Sequence, residues 1–113
     1  SAVYFLDSEN LRHAYPVQAV WESYFGEDFS RVNTIDAATM ASYPLGRNVP
    51  FKIGTLMKLP TVPKVYKVEE GAIMRWVKTE QVAAANFGAN WASLIKIIPD
   101  SFISDYTVGP DIE

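Results

Sequence analysis

The chain has 113 residues, 49% of them hydrophobic and 13% aromatic, and a formal charge of −3, which suits one domain with a real core and gives no net basic field for nucleic acid or anionic lipid. No apolar run approaches the roughly 20 residues of a membrane span, so insertion by this segment is not expected. The absence of cysteine excludes disulfides, thiolate metal sites and a thiol nucleophile together.

In chain order, Val3 to Leu6 and Leu11 to Tyr15 are short β-prone runs around Asp7-Ser8-Glu9-Asn10, which predicts a hairpin. Pro16 suits a first helical turn. Val17, Val20, Trp21, Tyr24 and Phe25 then fall on one helical stripe that Gly26 can close. Phe29, Val32 and Ile35 suggest a short helix or irregular turn, and Asp36 caps a helical segment holding Thr39, Met40 and Tyr43. From 49 to 64, two apolar segments flank Gly54, and the prolines at 50, 60 and 63 favour an edge strand or extended connection. A second hairpin runs through Lys64 to Val68, Glu69-Glu70-Gly71 and Ile73 to Val77, with Gly71 free to take a positive φ. Thr79 caps a second helix, Glu80 suits the positive end of its dipole, and Gly88 ends it. Its Ala83-Ala84-Ala85 run predicts a closer approach to its packing partner than the aromatic first helix makes. Trp91, Leu94, Ile95 and Ile98 keep helical spacing, Asp100 caps Phe102, Ile103 and Tyr106 after Pro99, and Gly109 closes the chain's second half.

The chain matches itself. Val3-Tyr4 and Phe25-Gly26-Glu27-Asp28-Phe29 reappear as Val65-Tyr66 and Phe87-Gly88-Ala89-Asn90-Trp91 at an offset of 62 (65−3, 87−25); Ile35, Tyr43, Gly46 and Arg12 reappear as Ile98, Tyr106, Gly109 and Arg75 at 63 (98−35, 75−12). Such self-similarity is the mark of a repeat. The expected architecture is α+β: two tandem β-hairpin-plus-helix units, about 3–48 and 65–112, packed on one core within a single domain 1–113 and joined by an extended bridge at about 49–64. Tyr4/Tyr66, Phe25/Phe87, Phe29/Trp91 and Tyr43/Tyr106 should then occupy equivalent buried or half-buried positions.

Chemistry has little to stand on. The single histidine, His13, lies in a strand without metal-ligand spacing and reads as packing or surface. No Gly-x-Ser-x-Gly elbow and no phosphate-cradling glycine loop is present. Glu69-Glu70, Glu27-Asp28, Asp111 and Glu113 could supply paired carboxylates, but adjacent turn carboxylates mostly face solvent. No metal or organic cofactor is expected. The better candidates are Arg75 and Trp76, with Arg12 and Tyr15 as a weaker equivalent patch, because arginine and partly exposed rings are enriched at binding surfaces. The competing reading makes Trp76, Tyr15, Trp21 and Trp91 core, with the arginines closing over their edges.

Tyr43-Pro44-Leu45-Gly46-Arg47-Asn48-Val49 with Gly54-Thr55, then Pro63-Lys64-Val65-Tyr66, Arg75-Trp76, Thr79-Glu80, Phe87-Gly88-Ala89-Asn90-Trp91, Ile98-Pro99-Asp100 and Tyr106-Thr107-Val108-Gly109, resemble a duplicated module of secreted or surface proteins in candidate-phylum bacteria, the Patescibacteria in particular. The sequence departs from that pattern at Ser8-Glu9-Asn10, where a glycine-containing turn is usual, and at Ile53-Gly54, where Pro-Gly is. The resemblance implies an extracellular or cell-surface setting and carries no catalytic residue. The Ser-Ala start, without Met, is expected of a processed or excised piece. The leading expectation is a non-catalytic accessory or adhesive module of an envelope protein, binding cell-wall polysaccharide or a surface protein. A structural spacer or assembly unit of a surface layer comes second, and a carboxylate-dependent hydrolase third.

Overall fold

The structure, a computed structural model, describes residues 2–112. Strands β1 (Tyr4–Leu6) and β2 (Arg12–Ala14) form an antiparallel hairpin. The Asp7 carboxylate closes its turn by accepting from the N–H groups of Glu9 and Leu11 at 2.8 and 3.0 Å, while Asn10 takes φ 64°, a conformation asparagine tolerates better than most residues. Helix α1 (Gln18–Phe25) follows and ends where the Gly26 N–H reaches the Glu22 carbonyl at 2.8 Å. Helix α2 (Ala37–Ala41) is capped as expected, Asp36 accepting from the Thr39 N–H at 2.7 Å. The chain then returns beside the hairpin through a parallel bridge between Arg12 and Leu45.

The second half contains β3 (Leu56–Lys58), β4 (Val65–Glu69), β5 (Ile73–Val77), α3 (Glu80–Phe87), a 3₁₀ turn at Trp91–Leu94, β6 (Ile95–Ile97), a second 3₁₀ segment at Asp100–Asp105 and β7 (Thr107–Val108). Thr79 caps α3 by accepting from the Val82 N–H at 3.1 Å. The five strands run in the order β6-β3-β4-β5-β7. The bridge strand is therefore interior and not at an edge: β3 is antiparallel to β4 and parallel to β6. The prolines at 50, 60 and 63 lie outside Leu56–Lys58, so they cost the ladder no donor. Asp100 does not cap; it lies in the first turn and accepts from the Thr61 hydroxyl at 2.6 Å. Both helices and strands are present in two sheets, so the fold is α+β.

The halves use the same local devices. The first hairpin pairs Tyr4 with Ala14 and Leu6 with Arg12; the second pairs Tyr66 with Trp76 and Val68 with Met74, each an offset of 62. Helices α1 and α3 differ by 62 at both ends (80−18, 87−25). In each half the chain returns beside the second hairpin strand, through Gly46 N–H to the Arg12 carbonyl at 2.8 Å and Gly109 N–H to the Met74 carbonyl at 2.9 Å. These glycines allow the approach: a Cβ on Gly46 would lie 2.6 Å from His13 Cε1, and one on Gly109 2.6 Å from Ile73 Cγ2.

Packing, however, is unequal. The main buried cluster joins Val20 of α1, Phe51, Met57 and Leu59 of the bridge, and Tyr66, Val68, Met74, Ile98 and Tyr106 of the second half. A smaller one holds Leu56, Val77, Ala83 and Ile112. Tyr66 and Tyr106 are buried where Tyr4 and Tyr43 are half-buried, and Trp91 is half-buried where Phe29 is exposed. Only Phe25 and Phe87 fall in the same class. The helices are buried unequally as well: α3 buries only Ala83, whereas α1 buries Val20, which joins the main cluster, and Trp21, which packs on Tyr15, Phe25 and Phe29 of its own half. The result is elongated, 50 × 26 × 26 Å with a radius of gyration of 15.6 Å, against about 13 Å for a compact chain of this length. Among the described residues, no helix is long and apolar enough to cross a membrane.

Candidate functional site

The four residues singled out by sequence do not converge on one surface. Arg75 projects from β5 and is spent locally. Its Nη1 donates to Glu69 Oε2 at 3.1 Å and its Nε to the Pro110 carbonyl at 2.9 Å, so it ties the hairpin turn to the returning chain. The paired guanidinium, assisted by Lys67 at 3.3 Å, lowers the Glu69 pKa below the ordinary carboxylate value. Arg12 is similarly engaged: its Nε donates to the Tyr43 carbonyl at 2.9 Å and its guanidinium lies 4.9 Å from the Tyr4 ring centre. Tyr15 packs edge-on to Trp21 and Tyr24, with ring centres 5.1 and 6.4 Å away, and burial pushes its hydroxyl pKa up.

Arg12 is not the structural counterpart of Arg75. In the hairpins, where the offset is 62, Arg75 corresponds to His13 (75−62) and Glu69 to Asp7 (69−62). The chemistry corresponds too. His13 Nε2 lies 2.7 Å from Asp7 Oδ2 and its Nδ1 lies 2.7 Å from the Arg47 carbonyl. Two acceptors require two donors, so this setting favours the imidazolium; the Asp7 bond first, and the Arg47 carbonyl second, raise the His13 pKa above 6.5. The same bond lowers Asp7. In each half, then, an acid at the hairpin turn holds a cation that also reaches the carbonyl just after the return glycine (Gly46-Arg47, Gly109-Pro110).

Trp76 has a different setting. With Trp91, Lys64, Lys78 and Glu80 it lines an open cleft of about 320 Å³ beside the start of α3. The Lys64 ammonium sits 4.5 Å from the Trp76 ring centre, a cation–π distance. Sequence reasoning picked Trp76 for binding but read Lys64 only as the start of the hairpin strand, which begins one residue later at Val65. Of the carboxylates proposed for acid–base work, Glu69 is bound by Arg75 and Lys67, and Asp28 accepts from the Ser30 N–H and hydroxyl at 3.0 and 2.6 Å. Glu80 is the carboxylate that lines the Trp76 cleft; Glu113 lies outside the described residues. Among the described residues, no group of three or more His, Asp or Glu is placed to hold a metal ion.

Comparison with protein-family models, curated proteins and solved structures yields no match for this chain.

Proposed function

We propose that the two halves are copies of one unit and that the chain is a non-catalytic spacer or assembly module, a segment of a repeat-built surface or secreted protein. The observation that carries this reading is the paired framework: Asp7 with His13 and Glu69 with Arg75 make the same two connections in each half, from hairpin turn to returning chain. Of the side chains that first suggested a ligand surface, Arg75, Arg12 and Tyr15 are thus committed to holding the unit together. The elongated envelope suits end-to-end addition of further units. The resemblance to candidate-phylum surface proteins supports an extracellular setting.

A second reading keeps the adhesive role and moves it to the Trp76 and Trp91 cleft. Two half-buried indoles beside the ammonium groups of Lys64 and Lys78 suit an acidic sugar, whose ring faces pack on aromatics while its carboxylate meets a cation. Retention of the chain on peptidoglycan and on acidic envelope polysaccharide separates the two. The spacer reading expects no retention, and a lowered melting temperature for Arg75→Ala. Retention that Trp76→Ala and Lys64→Ala abolish without lowering the melting temperature would overturn it in favour of the cleft.

A further inference from the structure

The second half shows how a unit is closed. Strand β3 of the bridge lies between β4 and β6, with Val68 N–H donating to the Thr55 carbonyl at 2.9 Å and Ile98 N–H to the Lys58 carbonyl at 3.1 Å. On one face Met57, wholly buried, packs in the cluster that holds Tyr66, Ile98 and Tyr106; on the other, Leu56 joins Val77 and Ala83. Shifting by 62 or 63 gives the corresponding positions of the first half as Tyr4, Ile35, Tyr43 and Trp21. Among the described residues no strand lies there, since β1 pairs with β2 alone.

What occupies the place instead is a slot of about 290 Å³, lined by Tyr4 and Leu6 on one side and by Val32 and Ile35 on the other, with Met40 and Tyr43 among its other walls. Leu6 and Ile35 are exposed there, as is Val32, whereas Val68 and Ile98 are buried at the places matched to Leu6 and Ile35. The backbone is ready as well. Because Tyr15 N–H reaches the Val3 carbonyl and Asp7 N–H the Leu11 carbonyl, antiparallel alternation turns the N–H and C=O groups of Tyr4 and Leu6 away from β2, toward the slot. Trp21 also lines it, and its buried Nε1–H has no acceptor among the described residues.

We infer that this slot is a strand acceptor, and that its occupant is the bridge strand of a further repeat unit, of the kind Leu56–Lys58 is. This rests on the reading of the halves as copies. The donor runs antiparallel to β1, as β3 does to β4, and inserts an apolar side chain at the Met57 position between Tyr4 and Tyr43. Its outward neighbour meets Trp21 where Leu56 meets Ala83, so that position favours a side chain smaller than leucine. The recognition is β-augmentation, in which main-chain bonds supply affinity and alternate side chains supply register. A chain of such units would be locked strand into slot along its length.

The test joins a second copy of residues 49–63, carrying L56A to make room for Trp21, directly to Ala2, which preserves the spacing of β3 from β4, and follows amide hydrogen exchange by NMR. The slot account expects the Tyr4 and Leu6 amides to slow by about 100-fold or more, the melting temperature to rise, and both effects to vanish when the added donor carries M57D. Unchanged Tyr4 and Leu6 exchange in the extended chain would overturn it. Tyr66 and Val68 serve as the control: protected in every variant, they leave the copy reading standing when the slot fails, whereas their lack of protection would sink the copy reading itself.

Discussion

Ile35 and Ile98 offer a matched comparison, because the same side chain stands at corresponding places and only its covering differs. Ile98 is 0% exposed and Ile35 43%. Replacing Ile98 by alanine removes three buried carbons and leaves a cavity under β3, a loss of about 2–5 kcal/mol for such a change. At Ile35 the transfer part is about half of the roughly 2.4 kcal/mol that three fully buried carbons contribute, and the open slot leaves no closed cavity, so about 1 kcal/mol is expected. With an unfolding entropy of about 2.1 cal/mol/K per residue, these correspond to falls in melting temperature of about 8–20 °C for Ile98→Ala and about 4 °C for Ile35→Ala. Thermal melts followed by circular dichroism and by tryptophan fluorescence give the values, with coincident transitions licensing the free-energy comparison. Equal losses at the two sites, or a larger one at Ile35, would refute the argument that only the second half is closed by a strand.

Three further outcomes follow from individual contacts. Tyr106→Phe removes the acceptor of the Phe51 N–H, which lies 2.9 Å from the tyrosine oxygen in a buried setting, and should cost about 1–3 kcal/mol in urea unfolding. Gly109→Ala would set a Cβ 2.6 Å from Ile73 Cγ2, and the resulting overpacking should cost about 1–3 kcal/mol and loosen β7 from β5, seen as faster exchange at Thr107. For pH, the His13 pKa is raised, so its bond to Asp7 contributes fully below the unfolded value of 6.5 and is lost as pH rises through the higher folded value. The melting temperature should therefore fall between about pH 6 and 8, where histidine is the side chain that ordinarily titrates; His13→Asn should flatten that slope, and an unaltered slope would contradict it.

Much of the framework was legible because it depends on local chemistry. Thr79 and Asp36 announced their caps through side chains that satisfy free N–H groups at helix starts, and both hairpins stood out as β-prone runs on either side of turn-forming residues. The interior position of β3 was not legible, since a three-residue Leu-Met-Lys strand flanked by prolines looks like a connection until its two neighbours are known. Strand β6 was hidden for another reason: Trp91, Leu94, Ile95 and Ile98 keep helical spacing, and only the pairing of Ile95–Ile97 with β3 overrides it. At the candidate site, aligning Arg12 with Arg75 by identity concealed the chemical match. The offset of 62 that governs the hairpins sets Asp7 against Glu69 and His13 against Arg75, residues alike in charge and not in name.

On a framework shared by the two halves, a bridge strand covers β4 of the second and, among the described residues, none covers β1 of the first. Amide hydrogen exchange on the unaltered chain reads this most directly, by comparing Tyr66 and Val68, which face β3, with Tyr4 and Leu6, which face the slot. The account predicts that the first pair exchanges at least about 100-fold more slowly than the second. Comparable protection at all four amides would contradict it.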